Sequence, residues 1–157
     1  MTIPELIFVD ALDNHVVIMK AAVLKLYMYR QIHETSTEAG GVLIGERRGN
    51  HIVITDISEP GQGDFRSRTQ FTRQGEHHQH KVNESFRTSF GYSVYLGEWH
   101  THPEDYPHPS NIDLNSWRTK LKATQTMVML IVGRNGIWAG KKNENEMTIL
   151  STSSEAR

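Results

Sequence analysis

Hydrophobic positions fall along this chain in short runs separated by polar punctuation. Leu6–Val9 and Val16–Ile18 are brief β-like runs on either side of a turn-prone Asp13-Asn14. From Met19 to His33 the composition favours a helix, with Ala22, Leu26 and Tyr29 recurring at three-to-four spacing. Gly41–Glu46 and His51–Ile57 carry β-branched residues around Arg48-Gly49-Asn50, which predicts a hairpin. Ser58–Gly75 is polar and rich in Gly and Arg. It reads as a long loop, functional or mobile, with one short strand near Phe71. Glu76–Phe90 suits a second helix that turns Val82, Phe86 and Phe90 inward, Tyr92–Trp99 a strand, and Ser110–Leu121 a third helix. Met127–Val132, Ile137–Gly140 and Met147–Leu150 read as closing strands. Turns fall at Arg134-Asn135-Gly136 and over 142–145, before a polar tail expected to fray.

Interleaved strands and helices predict an α/β architecture whose sheet is mixed or largely antiparallel. The 157 residues fit a single domain spanning 1–157 and are too few for an eight-fold βα barrel. Seventeen basic and eighteen acidic side chains nearly cancel, so no whole-chain field favours nucleic acid or a membrane surface. The chain has no cysteine, which removes disulfides, thiol nucleophiles and Cys-based zinc fingers together. Neither a signal peptide nor an apolar membrane-length run is apparent, and a cytoplasmic protein is expected.

The chemistry concentrates in GEWHTHPEDYPHPSNID. His100 and His102 follow a predicted strand, where residues two apart share a face, so both imidazoles can converge on one ion. Asp113 is the natural third ligand, and a fourth position stays open for water, as catalytic zinc requires. Ser110 and Asp113 also have the spacing of a capping box, so a purely structural reading of that pair stands beside the ligand reading.

Upstream lies Glu38-Ala39-Gly40-Gly41-Val42-Leu43-Ile44-Gly45. Together with His100-Thr101-His102-Pro103, Ser110 and Asp113, it resembles the signature of the JAB/JAMM metalloprotease family. The likeness covers nearly the whole chain, because the order of predicted elements also matches. It implies the MPN fold, related to that of cytidine deaminases: a mixed sheet flanked by helices. It further implies one catalytic Zn2+ bound by His100, His102 and Asp113, Glu38 as general acid/base, and Ser110 assisting the oxyanion. The placement of Glu38 near the metal comes from the resemblance alone. All five residues are present, unlike in inert MPN scaffolds.

Within the family, the short single-domain form and GEWHTHP resemble the bacterial JAB peptidases encoded beside cGAS-like nucleotidyltransferases and E1–E2 fusions in antiphage CBASS operons. The implied substrate is such a nucleotidyltransferase, attached to a target through its flexible C-terminal tail. The alternatives are a processor of a ubiquitin-like or sulfur-carrier protein, and a non-catalytic MPN scaffold.

Other candidates read as secondary. Glu98 is expected to face outward or to support a ligand, and His108 to lie in a loop near the entrance. The HxHxDH zinc-hydrolase pattern fails, since 104 and 105 are Glu and Asp, and nucleobase deaminases need cysteines. His77, His78 and His80 read as a solvated helix start. Arg66, Arg68 and Arg73 are either a solvated loop or a clamp for an acidic partner. Trp99, Trp117 and Trp138 are expected in the core, with a place in the cleft wall open to any of them.

Overall fold

The computed structural model of the chain describes residues 4–121, 124–144 and 146–153. Its strands are β1 (Leu6–Val9), β2 (His15–Ile18), β3 (Gly40–Arg48), β4 (His51–Ile57), β5 (Phe65–Arg66), β6 (Phe71–Thr72), β7 (Val94–Thr101), β8 (Met127–Val132), β9 (Ile137–Asn143), β10 (Glu146–Ile149) and β11 (Ser151–Thr152). The helices are α1 (Lys20–Met28), α2 (His77–Thr88) and α3 (Asn111–Lys120). Nine strands form one sheet in the order β10-β9-β8-β7-β3-β4-β2-β1-β11, while β5 and β6 make a separate two-stranded hairpin. β2 runs parallel to β4 and β7 parallel to β8. The remaining pairs of the sheet are antiparallel, so it is mixed as expected.

Alternation along the strands divides the interior into two layers. Val128, Leu130 and Val132 of β8 join Leu43, Leu96, Trp99 and the α1 residues Ala22, Val23 and Leu26 in the main core. Met129 and Ile131 point to the other face and meet Trp117 and Leu121 of the α3 segment, with Trp138 packed against them. Trp117 and Trp138 stack at 5.6 Å, nearly parallel. The apolar α1 stripe and the single inward tryptophan of α3 thus clamp the sheet from opposite sides.

Central strands approach each other closely through glycine. Gly97 has φ of +149°, and a Cβ there would lie 1.8 Å from the Val128 carbonyl oxygen. The β3–β7 register shifts between Leu43 and Ile44, next to this glycine. The irregularity resets the phase of β7, so that Trp99 faces the main core and His100 the α3 side.

Several expectations need correction. α1 ends at Met28, not His33: the Arg30 guanidinium donates to the Tyr27 carbonyl at 3.1 Å, and Gln31 turns into the interior. In α2, Phe86 and Phe90 are exposed and Val82 half-buried; the buried residue of the helix is His78. Phe90 lies beyond the helix in the left-handed region (φ +58°), which swings its ring into solvent. β9 reaches Asn143, so the turn before β10 is tighter than four residues. Part of the tail is ordered, since β11 pairs with β1 through Phe8↔Thr152 and Val9↔Ser151. The remaining tail, 154–157, lies outside the described residues. Among the described residues no helix is long and apolar enough to cross a membrane.

The 58–75 segment is not a free loop. Asp64 accepts backbone hydrogen bonds from Gly61, Gln74 and Gly75 at 2.7–2.9 Å and closes the segment on itself. Buried His78 links Asp64 (2.8 Å) to the Ser58 hydroxyl (2.5 Å), which accepts from the Val42 amide in β3 (2.8 Å). The predicted solvated histidine start is therefore an anchor at His78, with His80 exposed. His77 is half-exposed, its Nε2 at 2.7 Å from the Glu59 carbonyl.

Candidate active site

β7 ends beside the N-terminus of α3, and that junction assembles the site. His100 Nε2 and His102 Nε2 lie 3.1 Å apart. Asp113 Oδ1 is 3.2 Å from His100 Nε2, and its Oδ2 is 3.1 Å from His102 Nε2. Tetrahedral ligands with bonds of about 2.0–2.1 Å to zinc stand roughly 3.3 Å from one another. Two imidazole nitrogens and one carboxylate at these separations therefore fit a divalent metal ion. The donor set suits zinc and leaves a fourth side open.

The capping-box reading of the Ser110–Asp113 pair holds, and its geometry is compatible with the ligand reading. Ser110 is the N-cap of α3: its hydroxyl accepts from the Asp113 amide at 3.0 Å, and the Ser110 amide donates to Asp113 Oδ2 at 2.9 Å. The capping box thus aims the carboxylate that completes the triad. Burial alone would raise the Asp113 carboxyl, but His100, His102 and the Ser110 amide outweigh it and hold it well below the ordinary carboxylate range. His102 shows the opposite balance. Burial pulls it down, yet Asp113 and Glu104 raise it overall.

Glu104 has a role that the spacing did not assign. Its Oε1 sits 2.8 Å from His102 Nδ1. A carboxylate there fixes Nδ1 as the protonated nitrogen and leaves Nε2 with its lone pair toward the metal position. The only signal in the sequence was an acid two residues beyond a candidate ligand. Asp105 instead pairs with Arg134 at 2.8 Å, and His108 is an exposed loop side chain near the Tyr106 carbonyl.

Glu38 is buried and lines the same cleft as the triad and Ser110. Burial pushes its carboxyl up to about 7; His102 opposes the rise, while Asp113 and Glu104 add to it. Its backbone is held on both sides: the amide donates to the Ser67 carbonyl and its own carbonyl accepts from Arg66 Nε, each at 2.7 Å. Arg68 is likewise committed, to the Glu34 carbonyl, and Arg73 pairs with Glu98. The arginines expected either to be solvated or to clamp an acidic partner instead fasten the loop to the 34–38 segment and to β7. Glu98 faces the cleft rather than outward, on the same side of β7 as His100.

The cleft holds about 940 Å³. Trp99 and Trp117 belong to the core and also wall it, with Ile112, Met127 and the 69–73 stretch. Gly41 lies at its floor, where a Cβ would collide with the Ser58 carbonyl oxygen at 2.1 Å. A second group of donors, Asp64, His77 and His78, also comes together, but its atoms are spent on the anchoring hydrogen bonds described above.

The family model for prokaryotic homologs of the JAB domain matches residues 20–150. This chain belongs to the JAB family. It is 62% identical over 147 residues to a CD-NTase/cGAS isopeptidase of Escherichia coli (strain TW11681), covering 94% of each chain. It is 53% identical to a protein of the same description from Vibrio cholerae serotype O1, covering 92% of this chain and 93% of that one. A probable metalloprotease of Sinorhizobium fredii, y4qB, is 30% identical over 108 residues, 64% of this chain and 66% of the relative. Among solved structures, protein DSY2949 from Desulfitobacterium hafniense superimposes with a TM-score of 0.59 at 19% identity, over 84% of this chain and 87% of that one, which shows a shared fold. With this family membership and these relatives, the chain is an enzyme of the JAMM peptidase type and an isopeptidase.

Proposed function

We propose that this JAB-family enzyme is a zinc isopeptidase that releases a CD-NTase, a cGAS-like nucleotidyltransferase, from targets joined to its C-terminus by an E1–E2 enzyme in antiphage defence. One observation carries the catalytic half of this reading: three donors stand 3.1–3.2 Å apart in a cleft that also contains the buried Glu38 carboxyl. The substrate half rests on the names of the Escherichia coli and Vibrio cholerae relatives.

His100, His102 and Asp113 would hold the ion. When bound, it supplies Lewis acidity at the scissile carbonyl and brings the pKa of a water in its open position to about 7. Glu38, buried in the same cleft, would accept the proton of the attacking water and return it to the leaving amine. The Ser110 hydroxyl already accepts from the Asp113 amide, so its own proton is free to donate to the oxygen that gains charge. Water adds to the carbonyl carbon, the C–N bond breaks, and a carboxylate and an amine result. A flexible tail, lying extended along the cleft, would bring its scissile bond to Glu38 and Ser110 without unfolding the body that precedes it.

The test uses CD-NTases whose C-termini are fused to green fluorescent protein or attached to a lysine of a carrier. Mass spectrometry should find cleavage directly after the last CD-NTase residue. Glu38→Gln should keep about one zinc per chain and lose at least 10²-fold in kcat. Cleavage of a ubiquitin-like fusion instead would move the substrate to the ubiquitin-like or sulfur-carrier class. Full binding of the CD-NTase with no cleavage by metal-loaded protein would leave a scaffold.

A further inference from the structure

Glu38 stands one residue beyond the last regular pair of β3 with β7, Gly40↔His100 and its Ala39 extension. Two attachments fix it there. Ala39, its neighbour, gives both backbone groups to Thr101: its carbonyl accepts from the Thr101 amide at 2.9 Å, and its amide donates to Thr101 Oγ1 at 3.0 Å. Glu38 itself is bonded to the β5–β6 hairpin through Ser67 and Arg66. Thr101 is the residue between the two histidines of the triad. It points to the opposite side of the strand from them and is fully buried.

One side chain ties these attachments together. Gln31, fully buried, accepts from Thr101 Oγ1 at 2.8 Å and donates through Nε2 to the Arg68 carbonyl of the hairpin at 2.9 Å and to the Ser36 carbonyl at 3.2 Å. The proton directions follow from the inventory of donors. Thr101 Oγ1 receives the Ala39 amide proton, so its hydroxyl proton goes to the Gln31 oxygen. That orients the amide and aims both N–H groups at carbonyls. No polar atom of the amide is left over, as burial demands.

We propose that Gln31 and Thr101 are positioning residues, whose buried hydrogen-bond chain sets the distance and register of the Glu38 carboxyl against the His100–His102 pair. The inference rests on Glu38 being the general acid/base. Neither residue touches the cleft, so neither can act on substrate directly. Losing the chain lets the 36–39 segment drift relative to β7. A displacement of about 1 Å at a reacting group costs on the order of 10²-fold in rate.

The test compares Thr101→Val, which removes the hydroxyl at equal volume, with Thr101→Ser, which keeps it. With a CD-NTase–green fluorescent protein fusion that the unaltered enzyme cuts, Thr101→Val should lower kcat about 10- to 100-fold. KM and zinc content should stay within about twofold of the unaltered enzyme, the signature of lost transition-state positioning. Thr101→Ser should restore kcat to within a few-fold. In the metal-free protein, Thr101→Val should lose hydrogen-exchange protection at the Ala39 amide, and Thr101→Ser should keep it. If Thr101→Val does not fold, Gln31→Met carries the same comparison. A folded, zinc-loaded Thr101→Val with kcat within twofold, or an Ala39 amide as protected as before, overturns the proposal. So does a Thr101→Ser as slow as the valine variant. If Glu38→Gln proves fully active, the acid/base reading fails instead. If no fusion is cut, the substrate reading fails, and Ala39 exchange still decides the positioning.

Discussion

Asp113 serves two masters with one carboxylate. Oδ2 closes the helix cap with the Ser110 amide and also faces His102, while Oδ1 faces His100. Geometry that starts a helix would therefore deliver a metal ligand at no extra conformational cost, since the side chain is already ordered by the cap. Ser110→Ala should separate the functions. Losing the cap costs about 1 kcal/mol, read as a fall of roughly 2–4 °C in Tm, and losing the hydroxyl donor costs about 10²–10³ in kcat, while metal content holds. Glu104→Gln should keep fold and stoichiometry but weaken zinc binding about 10- to 100-fold in competition with a chelator, because the acceptor that orients His102 Nδ1 is diminished. These residues were partly legible in the chain. Histidines two apart on a strand and an aspartate three after a serine follow from local rules. Glu104 was visible only as a nearby acid, because its job depends on which imidazole nitrogen the fold turns toward it.

At the level of elements, the 58–75 segment shows how a polar stretch becomes rigid. Burial would raise the Asp64 carboxyl, but the Gly75, Gly61 and Gln74 amides together with His78 bring it down to about 2. The sign follows directly. A carboxylate with a depressed folded pKa stabilises fully above its unfolded value of 3.8 and loses that contribution as pH falls toward 2. Between about pH 4 and 2 the unaltered protein should lose roughly 2 kcal/mol that Asp64→Asn, already weakened at pH 7, does not lose. Thermal melts of both across that window decide it, and amide exchange at Gly75 localises the effect. Sequence periodicity found the helix that follows but gave it the wrong inner face. The expected apolar Phe86 and Phe90 are exposed, and the residue that buries is a histidine with two polar partners. Periodicity counts apolar side chains, so it overlooks a polar residue buried by satisfaction. The C-terminal end of α3 carries a similar surprise. Lys142, on β9, reaches the carbonyls of Trp117 and Leu121 and supplies the cation that the last turn favours.

On the scale of the whole molecule, the site is a seam between the sheet and α3. That helix presses one buried tryptophan onto the second, smaller core layer, and a metal held by β7 and α3 would staple the seam. Removing zinc with a chelator should therefore lower Tm by several degrees and loosen exchange in α3 more than in α1. At about a thousandfold excess of free ion over Kd, the linkage amounts to about 4 kcal/mol. Restored zinc should reverse the shift, and His102→Ala should show none. The amino-acid order alone foretold most of the strand and helix succession, a sheet mixed or largely antiparallel, two histidines sharing one strand face, and the family through its motif spacing. Each depends on local periodicity or on a spacing that one strand or one helical turn enforces. Only the tertiary structure decided where Glu38 stands, why Gln31 is buried, and that the arginine-rich loop is an anchor. Those outcomes come from hydrogen bonds between residues 28 to 70 positions apart, formed because buried polar groups must find partners wherever the chain brings them.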